Sequence, residues 1–511
     1  IDTYMIKLSR QHILPAITHI INLSIQQSIF PGKFKLSKVL PLHKKDDIPN
    51  PKNYRPVSIL PILSKIIERI VYIQLIQYLE ENKLLHPSHH GFRSHHSCTT
   101  ALIQMYDQWI NAMDKGEISA VVMLDMSAAF DLVDSTILLD KMKIYGFDDN
   151  SLKWFQSYLT GRSQVVYIDG HLSDPLPVEI GVPQGSILGP LLYILYSNDL
   201  PEAIHNHPPS SGFYNIECKA CGGTCCYADD STYTFSHKDP AVIEEKIESQ
   251  YQNITRYMQN NKLVLNSDKT HLLIMTTEHK HKSHNDFNIK LNTGSEIIEP
   301  DKSEKILGGI ISNDLKWKEN LRDNPKESMI KCLSTRLKAL AKISHIASFK
   351  TRKMIANGIF LSKLIYLIQV WGGTSEFLLS SLQILQNKAA RYVTRLSWYT
   401  PIKILLNQCG WLSVRQLAVY HSLNLIYKTK RDEKPVYFHL KFSEHFLYTT
   451  RFACGNKIKF DMNVKKKLTE QNFTYKTIKI WNDLPIEIRQ AETLTDSKNQ
   501  VKVWIKLNIQ I

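Results

Sequence analysis

Residues 225–232 read Cys-Cys-Tyr-Ala-Asp-Asp-Ser-Thr, and the interpretation of the whole chain starts from them. Apolar residues precede the pair Asp229–Asp230 and β-prone residues follow it, which predicts two acids at the tip of a hairpin. Carboxylates held this close repel each other unless a cation neutralises them. Mg²⁺ binds such oxygens and shares its coordination shell with substrate phosphates. An adjacent acidic pair by itself is as typical of a solvated turn as it is of a metal site.

A third acid follows a buried strand upstream. Residues 117–124 form an apolar run typical of a central strand that is buried on both faces, and Asp125 comes directly after it. A site can open at the carboxyl end of such a strand, so we expect Asp125 to meet Asp229 and Asp230 on one sheet. Three acids in that arrangement suit two-metal phosphoryl transfer, in which the protein contributes positioning and charge.

Five motifs, spread over about residues 35–310, resemble the reverse transcriptases of non-LTR (LINE-type, jockey-like) retrotransposons. They are Asn-Tyr-Arg-Pro-Val-Ser (53–58), His-Gly-Phe-Arg (90–93), Leu-Asp-Met-Ser-Ala-Ala-Phe-Asp (124–131), Gly-Val-Pro-Gln-Gly-Ser-Ile-Leu-Gly-Pro (181–190) and Tyr-Ala-Asp-Asp (227–230). The resemblance implies an α/β (α+β) right-hand polymerase with fingers, an antiparallel-sheet palm, a helical thumb and a basic C-terminal extension. It also implies RNA-directed DNA synthesis, in which dNTPs are added to a DNA primer on an RNA template. The alternatives are an inactive or domesticated nucleic-acid-binding remnant and an RNA-templated RNA polymerase.

The same resemblance implies roles for individual residues. Asp125 and Asp229 would hold two Mg²⁺ ions, Asp230 would support them, and Lys269 would lie near the triphosphate and help to protonate the leaving pyrophosphate. The other implied contacts are Arg55 and Arg93 near the incoming nucleotide or template, Phe130 under the sugar where an aromatic excludes a 2′-hydroxyl, Gln184 and Gly185 beside the template or substrate, and Leu307 and Gly308 in a primer-gripping hairpin. A turn lysine, a core aromatic and a plain helix entry are the structural alternatives for Lys269, Phe130 and the Gln184–Gly185 motif.

The patterning divides the chain into four regions. They are an N-terminal extension with the fingers (1–115), the palm (116–312), a helical thumb (313–400) and a basic C-terminal nucleic-acid-binding region (401–511). Helical periodicity over about residues 1–34 predicts core positions at Ile6, Ile13, Ile17, Ile20, Ile21 and Ile25. The last region mixes aromatics such as Phe473 and Trp481 with lysines, a combination that suits single strands or structured RNA.

Residues 200–226 form an insertion that is rich in cysteine and histidine. Cys218 and Cys221 make a Cys-x-x-Cys pair that, with Cys225 and either His205 or His207, would complete a tetrahedral zinc site. Reduced thiols in a loop are the alternative, because a second Cys-x-x-Cys pair is missing.

The composition favours a polyanionic partner. The chain has 63 Lys and Arg against 48 Asp and Glu, a net charge of +15, which suits an RNA template and a DNA primer or target. No apolar run approaches eighteen residues, so we expect no membrane insertion. Eight cysteines in 511 residues favour a reducing, intracellular compartment. The resemblance implies a nuclear site of action after a cytoplasmic ribonucleoprotein stage. Because the chain begins at Ile1, we expect a piece of a longer protein that lacks an N-terminal endonuclease.

Overall fold

The computed structural model describes residues 3–44, 47–205, 223–266, 269–283, 289–294, 296–443, 458 and 472–509. The strands among these residues are β1 (Leu36–His43), β2 (Tyr54–Ile59), β3 (Ile118–Leu124), β4 (Met126–Ser127), β5 (Arg162–Ile168), β6 (His171–Leu172), β7 (Leu176–Val178), β8 (Thr224–Tyr227), β9 (Asp230–His237), β10 (Val264–Leu265), β11 (His271–Met275), β12 (Leu291–Asn292), β13 (Ile297–Ile298), β14 (Pro300–Asp301), β15 (Ser303–Ile306) and β16 (Gly309–Ser312).

The α-helices in the same described residues follow the periodicity of the sequence in most regions. They are α1 (Thr3–Leu8), α2 (Arg10–Gln26), α3 (Ile62–Glu81), α4 (Cys98–Asp114), α5 (Ser135–Ile144), α6 (Asp149–Leu159), α7 (Gly189–Ser197), α8 (Leu200–Ile204), α9 (Pro240–Asn260), α10 (Glu278–Ser283), α11 (Met329–Ile343), α12 (Phe349–Ile355), α13 (Ser362–Leu364), α14 (Ile368–Trp371), α15 (Glu376–Thr394), α16 (Ile402–Cys409), α17 (Val414–Asp432), α18 (Val436–Ser443), α19 (Phe473–Asp483), α20 (Ile486–Arg489) and α21 (Leu494–Asn508). None of them is long and apolar enough to cross a bilayer.

The chain forms two compact units, each assembled from separate stretches of sequence. The first contains Ile1–Phe92, Met123–Thr232 and Glu248–Thr270, and the second contains Arg93–Val122, Tyr233–Ile247 and His271–Ile511. This division does not follow the four predicted regions, because β3 and β9 each run from one unit into the other. The boundaries of fingers, palm, thumb and extension therefore stay a prediction.

A sheet of extended strands anchors the first unit. β1 pairs with β2 in antiparallel and with β5 in parallel orientation, and β5 continues through a turn at Asp169–Gly170 into β6. Both turn residues have positive φ angles, 49° and 89°, as an Asp-Gly hairpin requires. The sequence Asp-Gly between two β-prone stretches is typical of such a hairpin.

The N-terminal helix α2 buries a narrower face than its isoleucine spacing predicts. Of the six predicted core isoleucines only Ile21 is buried, and Ile20 and Ile25 are exposed. The side chain that shares the buried face is Ser24, whose hydroxyl accepts a hydrogen bond of 3.0 Å from the Trp154 indole. Ile6 in α1 and Ile13 and Ile17 in α2 are half-buried, so the core prediction was wrong for Ile20 and Ile25.

The second unit is built around a sheet in which β11 lies between β14 and β3, with β9 on the far side of β3. Ala120, Val121 and Val122 of β3 are fully buried, as the apolar run predicts. β11 and β14 run parallel, and β15 and β16 form an antiparallel hairpin whose turn is Leu307–Gly308. The predicted hairpin over residues 305–310 is confirmed.

A buried carboxylate joins the C-terminal helices to α4 within the second unit. Asp107 of α4 accepts a hydrogen bond from the Phe473 amide at 3.0 Å and one from the Thr474 hydroxyl at 2.5 Å. Phe473 and Trp481 are only 4% and 1% exposed, respectively. These two aromatics therefore belong to the core, and the expectation that they stack on nucleic acid was wrong.

Candidate active site

The acidic pair lies at a tight turn in the first unit. β8 ends at Tyr227, Ala228 takes a left-handed φ of 58°, and β9 begins at Asp230, so the predicted hairpin tip is confirmed. The segment before the turn is held by reciprocal backbone bonds of 2.8 Å, from the His90 amide to the Cys226 carbonyl and from the Cys226 amide to the Ser88 carbonyl.

A close approach to the Ala228 backbone explains why the His-Gly-Phe-Arg motif has a glycine at position 91. A Cβ atom at this position would lie 2.6 Å from the Ala228 nitrogen, closer than side chains approach backbone. The backbone at residue 91 therefore supports the acidic turn directly. The motif match signals the glycine, whereas this contact is visible only in the tertiary structure.

Asp125 and Lys269 are brought together by a short antiparallel ladder. β4 pairs with β10, and the Asn266 amide donates a 3.0 Å hydrogen bond to the Asp125 carbonyl. The chain then turns so that the Lys269 ammonium lies 2.5 Å from Asp125 Oδ2. Lys269 thus contacts a predicted metal ligand, a partner that the sequence interpretation did not include.

The three aspartates are close enough to act on one another electrostatically. Partial burial, followed by the charges of Asp229 and Asp125, raises the pKa of Asp230 to about 6, while Lys269 and Lys44 act in the opposite direction. A carboxyl group perturbed by neighbouring carboxylates marks a place where added positive charge is favourable. The predicted meeting of the three acids is therefore supported within one unit.

The donor set fits a hard divalent cation, although the carboxylates are not drawn tightly together. Among the described residues, the three side chains whose ligand atoms all lie within 4.8 Å of one another are His271, Asp301 and Glu304, in the second unit. The three aspartates do not form such a group, and Lys269 pairs with Asp125. Carboxylate oxygens are the ligands that Mg²⁺ prefers.

Phe130 is packed between two other aromatic rings. Its ring lies 6.4 Å from the Phe92 ring, edge to face, and 5.1 Å from the Tyr193 ring. The Tyr193 hydroxyl donates to Met126 Sδ at 2.9 Å. The ring of Phe130 is half-buried, so it has a defined orientation and retains one accessible part.

The Gln184–Gly185 loop is held by protein on several sides. The Gln184 amide donates to both carboxylate oxygens of Asp131, at 2.9 and 2.8 Å, and its carbonyl accepts from the Ser58 amide at 2.7 Å. A Cβ atom on Gly185, whose φ is 131°, would lie 2.4 Å from the Ser58 carbonyl oxygen. The close backbone approach at this glycine is thus to strand β2. Contact with template or substrate stays a prediction.

Glu68 is a site-supporting residue that sequence reasoning missed. It is fully buried on α3, where it accepts hydrogen bonds from the Ile187 amide at 2.7 Å and the Ser64 hydroxyl at 2.8 Å, with the Leu188 amide at 3.4 Å. Burial raises the pKa of this carboxyl group against the lowering effect of these donors. A glutamate on the apolar face of a helix was the available signal.

The remaining predicted residues are divided between the two units. Arg55 is exposed on β2 in the first unit, and Asp134 caps α5 by accepting from the Thr136 and Ile137 amides. Arg93 and the Leu307–Gly308 turn belong to the second unit, where the Tyr366 hydroxyl donates to the Leu307 carbonyl at 2.6 Å.

The predicted zinc site lies partly outside the described residues. Cys218 and Cys221 fall there, Cys225 is buried in β8, and His205 is described. The His205 ring nitrogens lie 3.1 Å from the Thr224 hydroxyl and 3.2 Å from the Gln250 amide. Zinc binding would require His205 to give up one of these contacts, and it stays a prediction.

Comparison with known proteins agrees with this site. Residues 42–311 match the family model of the reverse transcriptase (RNA-dependent DNA polymerase). The chain is 28% identical over 406 residues to a probable RNA-directed DNA polymerase from transposon X-element of Drosophila melanogaster, with 77% of this chain and 41% of that protein covered. It is 25% identical over 400 residues to the RNA-directed DNA polymerase from mobile element jockey of the same organism, covering 78% and 42%.

Among solved structures, a Candida albicans telomerase in complex with a fragment of telomeric RNA aligns with 94% of this chain and 68% of its own, at 12% identity and a TM-score of 0.42. A similarity this weak carries no argument about function. The chain spans about two fifths of the length of the curated relatives described above. The family match covers more than half of the chain and includes the three aspartates. The chain therefore belongs to the reverse transcriptase family, on the branch of the non-LTR retrotransposons.

Proposed function

We propose that this chain synthesises DNA on an RNA template, as the polymerase portion of a longer retrotransposon protein. The observation that carries the proposal is the placement of three acids in one unit: burial, followed by the charges of Asp229 and Asp125, raises the pKa of Asp230 to about 6. The net charge of +15 suits a template and a primer that are both polyanions. Because the match covers only about two fifths of each curated relative, the proposal concerns the polymerase portion alone and does not extend to target cleavage or template choice.

Reverse transcriptases depend on divalent metal ions, and the acids here fit them. Asp125 and Asp229 would hold two Mg²⁺ ions with Asp230 in support; bound there, such ions activate the primer hydroxyl and stabilise charge on the transferred phosphoryl group. Lys269 balances Asp125 in this structure. The ammonium group would exchange that partner for the triphosphate, where a lysine can protonate the leaving pyrophosphate.

Other residues of the chain would orient the substrates. The Phe130 ring, fixed by Phe92 and Tyr193, would lie under the sugar and select against a 2′-hydroxyl. The Gln184–Gly185 loop would contact the nascent base pair. Lys44 and Arg55 supply positive charge in the same unit, and Lys44 already acts on Asp230. Arg93 would contact the template, and Leu307 and Gly308 would contact the primer end.

The proposed setting is the one that the family resemblance implies. An element of this kind would act in the nucleus on a chromosomal primer, after assembly with its RNA in the cytoplasm. The expected partners are an RNA template, a DNA primer or target and dNTPs.

Primer extension on an RNA template with Mg²⁺ tests the proposal. The wild-type chain is expected to extend the primer, and Asp229→Ala is expected to be slower by at least about 10²-fold. Glu179→Ala, which removes an exposed carboxylate of the same unit, is the matched control and should extend like the wild type. Equal rates for Asp229→Ala and the wild type would refute the assigned site.

The other outcomes separate the alternatives. A wild-type chain that binds RNA in a salt-dependent way and extends nothing would be a binding remnant. Equal use of rNTPs and dNTPs would indicate an RNA polymerase. Phe130→Val should increase the use of rNTPs by about 10–100-fold, because the smaller side chain leaves room for the 2′-hydroxyl.

A further inference from the structure

The positive charge of this protein is concentrated in one segment. Residues 328–431 contain 16 of the 63 Lys and Arg and a single acid, Glu376, out of 48 Asp and Glu. The rest of the chain has 47 of each sign and is neutral. The net positive charge of the chain therefore resides in this segment, which lies within the second unit.

An exposed aromatic loop lies inside that basic segment. Helix α15 ends at Thr394 and α16 begins at Ile402, and between them Trp398 and Tyr399 are 66% and 92% exposed. Large aromatics with this much free surface are uncommon in a folded chain and mark interaction sites when they cluster. The two residues differ in this respect from Trp481 and Phe473, which the core covers.

Arginine side chains and the end of helix α15 hold the loop in a defined position. The Arg391 guanidinium lies 4.4 Å from the centre of the Trp398 ring and donates to the Trp398 carbonyl at 3.1 Å. Arg395, in a left-handed conformation with φ of 59°, closes α15 by donating its amide to the Arg391 carbonyl. The aromatic pair is therefore presented by a rigid helix end, with arginines within one or two turns of it.

A buried arginine fixes a second loop to the same helix end. The Arg352 guanidinium donates to the Val393 carbonyl at 2.8 Å and to the Ala347 carbonyl at 2.5 Å. The loop that contains Ala347 exposes 89% of Ile346. Arg352 itself is buried, so its guanidinium holds the two loops in place.

From these observations we infer that the loop 395–401 is a stacking platform for single-stranded nucleic acid. Bases of any sequence stack on exposed aromatic faces, and nearby arginines add cation–π and phosphate contacts. A protein partner would not require a segment with sixteen basic residues and one acid. A bilayer would require a long amphipathic face, which this short loop does not have. The inference deepens the proposed function, because the strand would be unpaired template or displaced DNA.

Equilibrium binding tests this inference without requiring catalysis. Fluorescence anisotropy would compare labelled single-stranded RNA, single-stranded DNA of the same sequence and a blunt duplex, at one salt concentration. Trp398→Ala/Tyr399→Ala is expected to weaken single-strand binding by about tenfold or more and to leave duplex binding within about twofold. Trp398→Phe/Tyr399→Phe retains the ring faces and should restore binding. The RNA and DNA arms show which strand the platform prefers.

Phe377→Ala is the matched control. Phe377 is 62% exposed with the Arg322 guanidinium 4.8 Å from its ring, but it adjoins Glu376, the one acid of the segment. Its removal should leave single-strand binding unchanged. Lys403→Gln removes a phosphate contact beside the loop and should lower the slope of log affinity against log salt by about one, whereas the aromatic variant should leave the slope unchanged.

Three results would overturn the inference. They are wild-type single-strand affinity in the double alanine variant, an equal loss for duplex and single strand, and a loss of binding to phosphatidylserine vesicles without a loss for RNA. A melting temperature near that of the wild type shows that the variant is folded, as expected for two exposed side chains. Failure of primer extension with binding intact would refute the proposed function and leave the platform standing.

Discussion

Two groups of acids in this protein differ in what surrounds them. Glu68 and Asp107 are buried, and each accepts hydrogen bonds from at least one backbone amide and from a hydroxyl near the start of a helix. Asp230 has Asp229 and Asp125 as its main charged neighbours, with Lys269 and Lys44 opposing them. Burial raises the pKa of both Glu68 and Asp230, so a raised pKa alone does not separate a structural acid from a functional one. The surrounding groups separate the two kinds of acid. Hydrogen-bond donors satisfy a structural carboxylate, whereas a carboxylate with like charges around it requires a cation.

The largest expected effect is on the acids that need a cation. Asp125→Asn keeps the shape of the side chain and removes its charge, so the rate of primer extension should fall by about 10²–10³-fold or more. Asp134→Asn makes the same chemical change at a helix cap, where asparagine works equally well, and should have little effect. Steady-state rates with Mg²⁺ measure both variants. Comparable rates for the two would remove the distinction between the groups.

Asp107→Ala should show what a structural acid contributes. It leaves the Phe473 amide and the Thr474 hydroxyl without their acceptor in a buried position, which should lower the free energy of unfolding by about 2–4 kcal/mol. Urea unfolding and hydrogen exchange at residues 473 and 474 would report the loss. Asp107→Asn retains an acceptor oxygen and should lose less. An unchanged urea midpoint for the alanine variant would contradict the role assigned to this contact.

Variants of Glu68 test whether a structural acid affects catalysis by positioning the Gln184–Gly185 loop. Glu68→Ala leaves the Ile187 amide without an acceptor, at a cost of about 1–3 kcal/mol, just after the Gln184–Gly185 loop. KM for dNTP should rise about tenfold while the Mg²⁺ concentration for half-maximal rate stays the same, since the metal-binding acids are intact. Glu68→Gln should recover most of the loss. A shifted Mg²⁺ requirement would place Glu68 with the functional acids.

The smallest expected effect is the pH dependence of stability at Asp230. Its pKa is raised to about 6 in the folded chain, so the folded state binds the proton more tightly than the unfolded state and loses stability as pH rises from about 4 to 6. In EDTA, Asp230→Asn should melt like the wild type near pH 4 and at a higher temperature above pH 6. Mg²⁺ should reduce that difference above pH 6. A variant that melts lower than the wild type at neutral pH would show that Asp230 is stabilising, as Asp107 is.

Much of the site was predictable from local sequence. Acids that end strands, an Asp-Gly hairpin at residues 169–170 and a capping aspartate at residue 134 follow from rules that act over a few residues. Motif order then related Asp125 to Asp229 and Asp230. These features depend on chain direction and turn geometry, which adjacent residues largely determine.

Burial, in contrast, was decided by the tertiary structure. Aromatics with neighbouring cations occur at 398–399 and at 473–481, yet the first pair is exposed and the second is covered. The pairing of Lys269 with Asp125 and the approach of Gly91 to Ala228 join residues that are far apart in the sequence. The sequence by itself determined which chemical groups this protein has and where its strands end. Only the tertiary structure decided which of those groups meet water, because that depends on which distant segment packs against each of them.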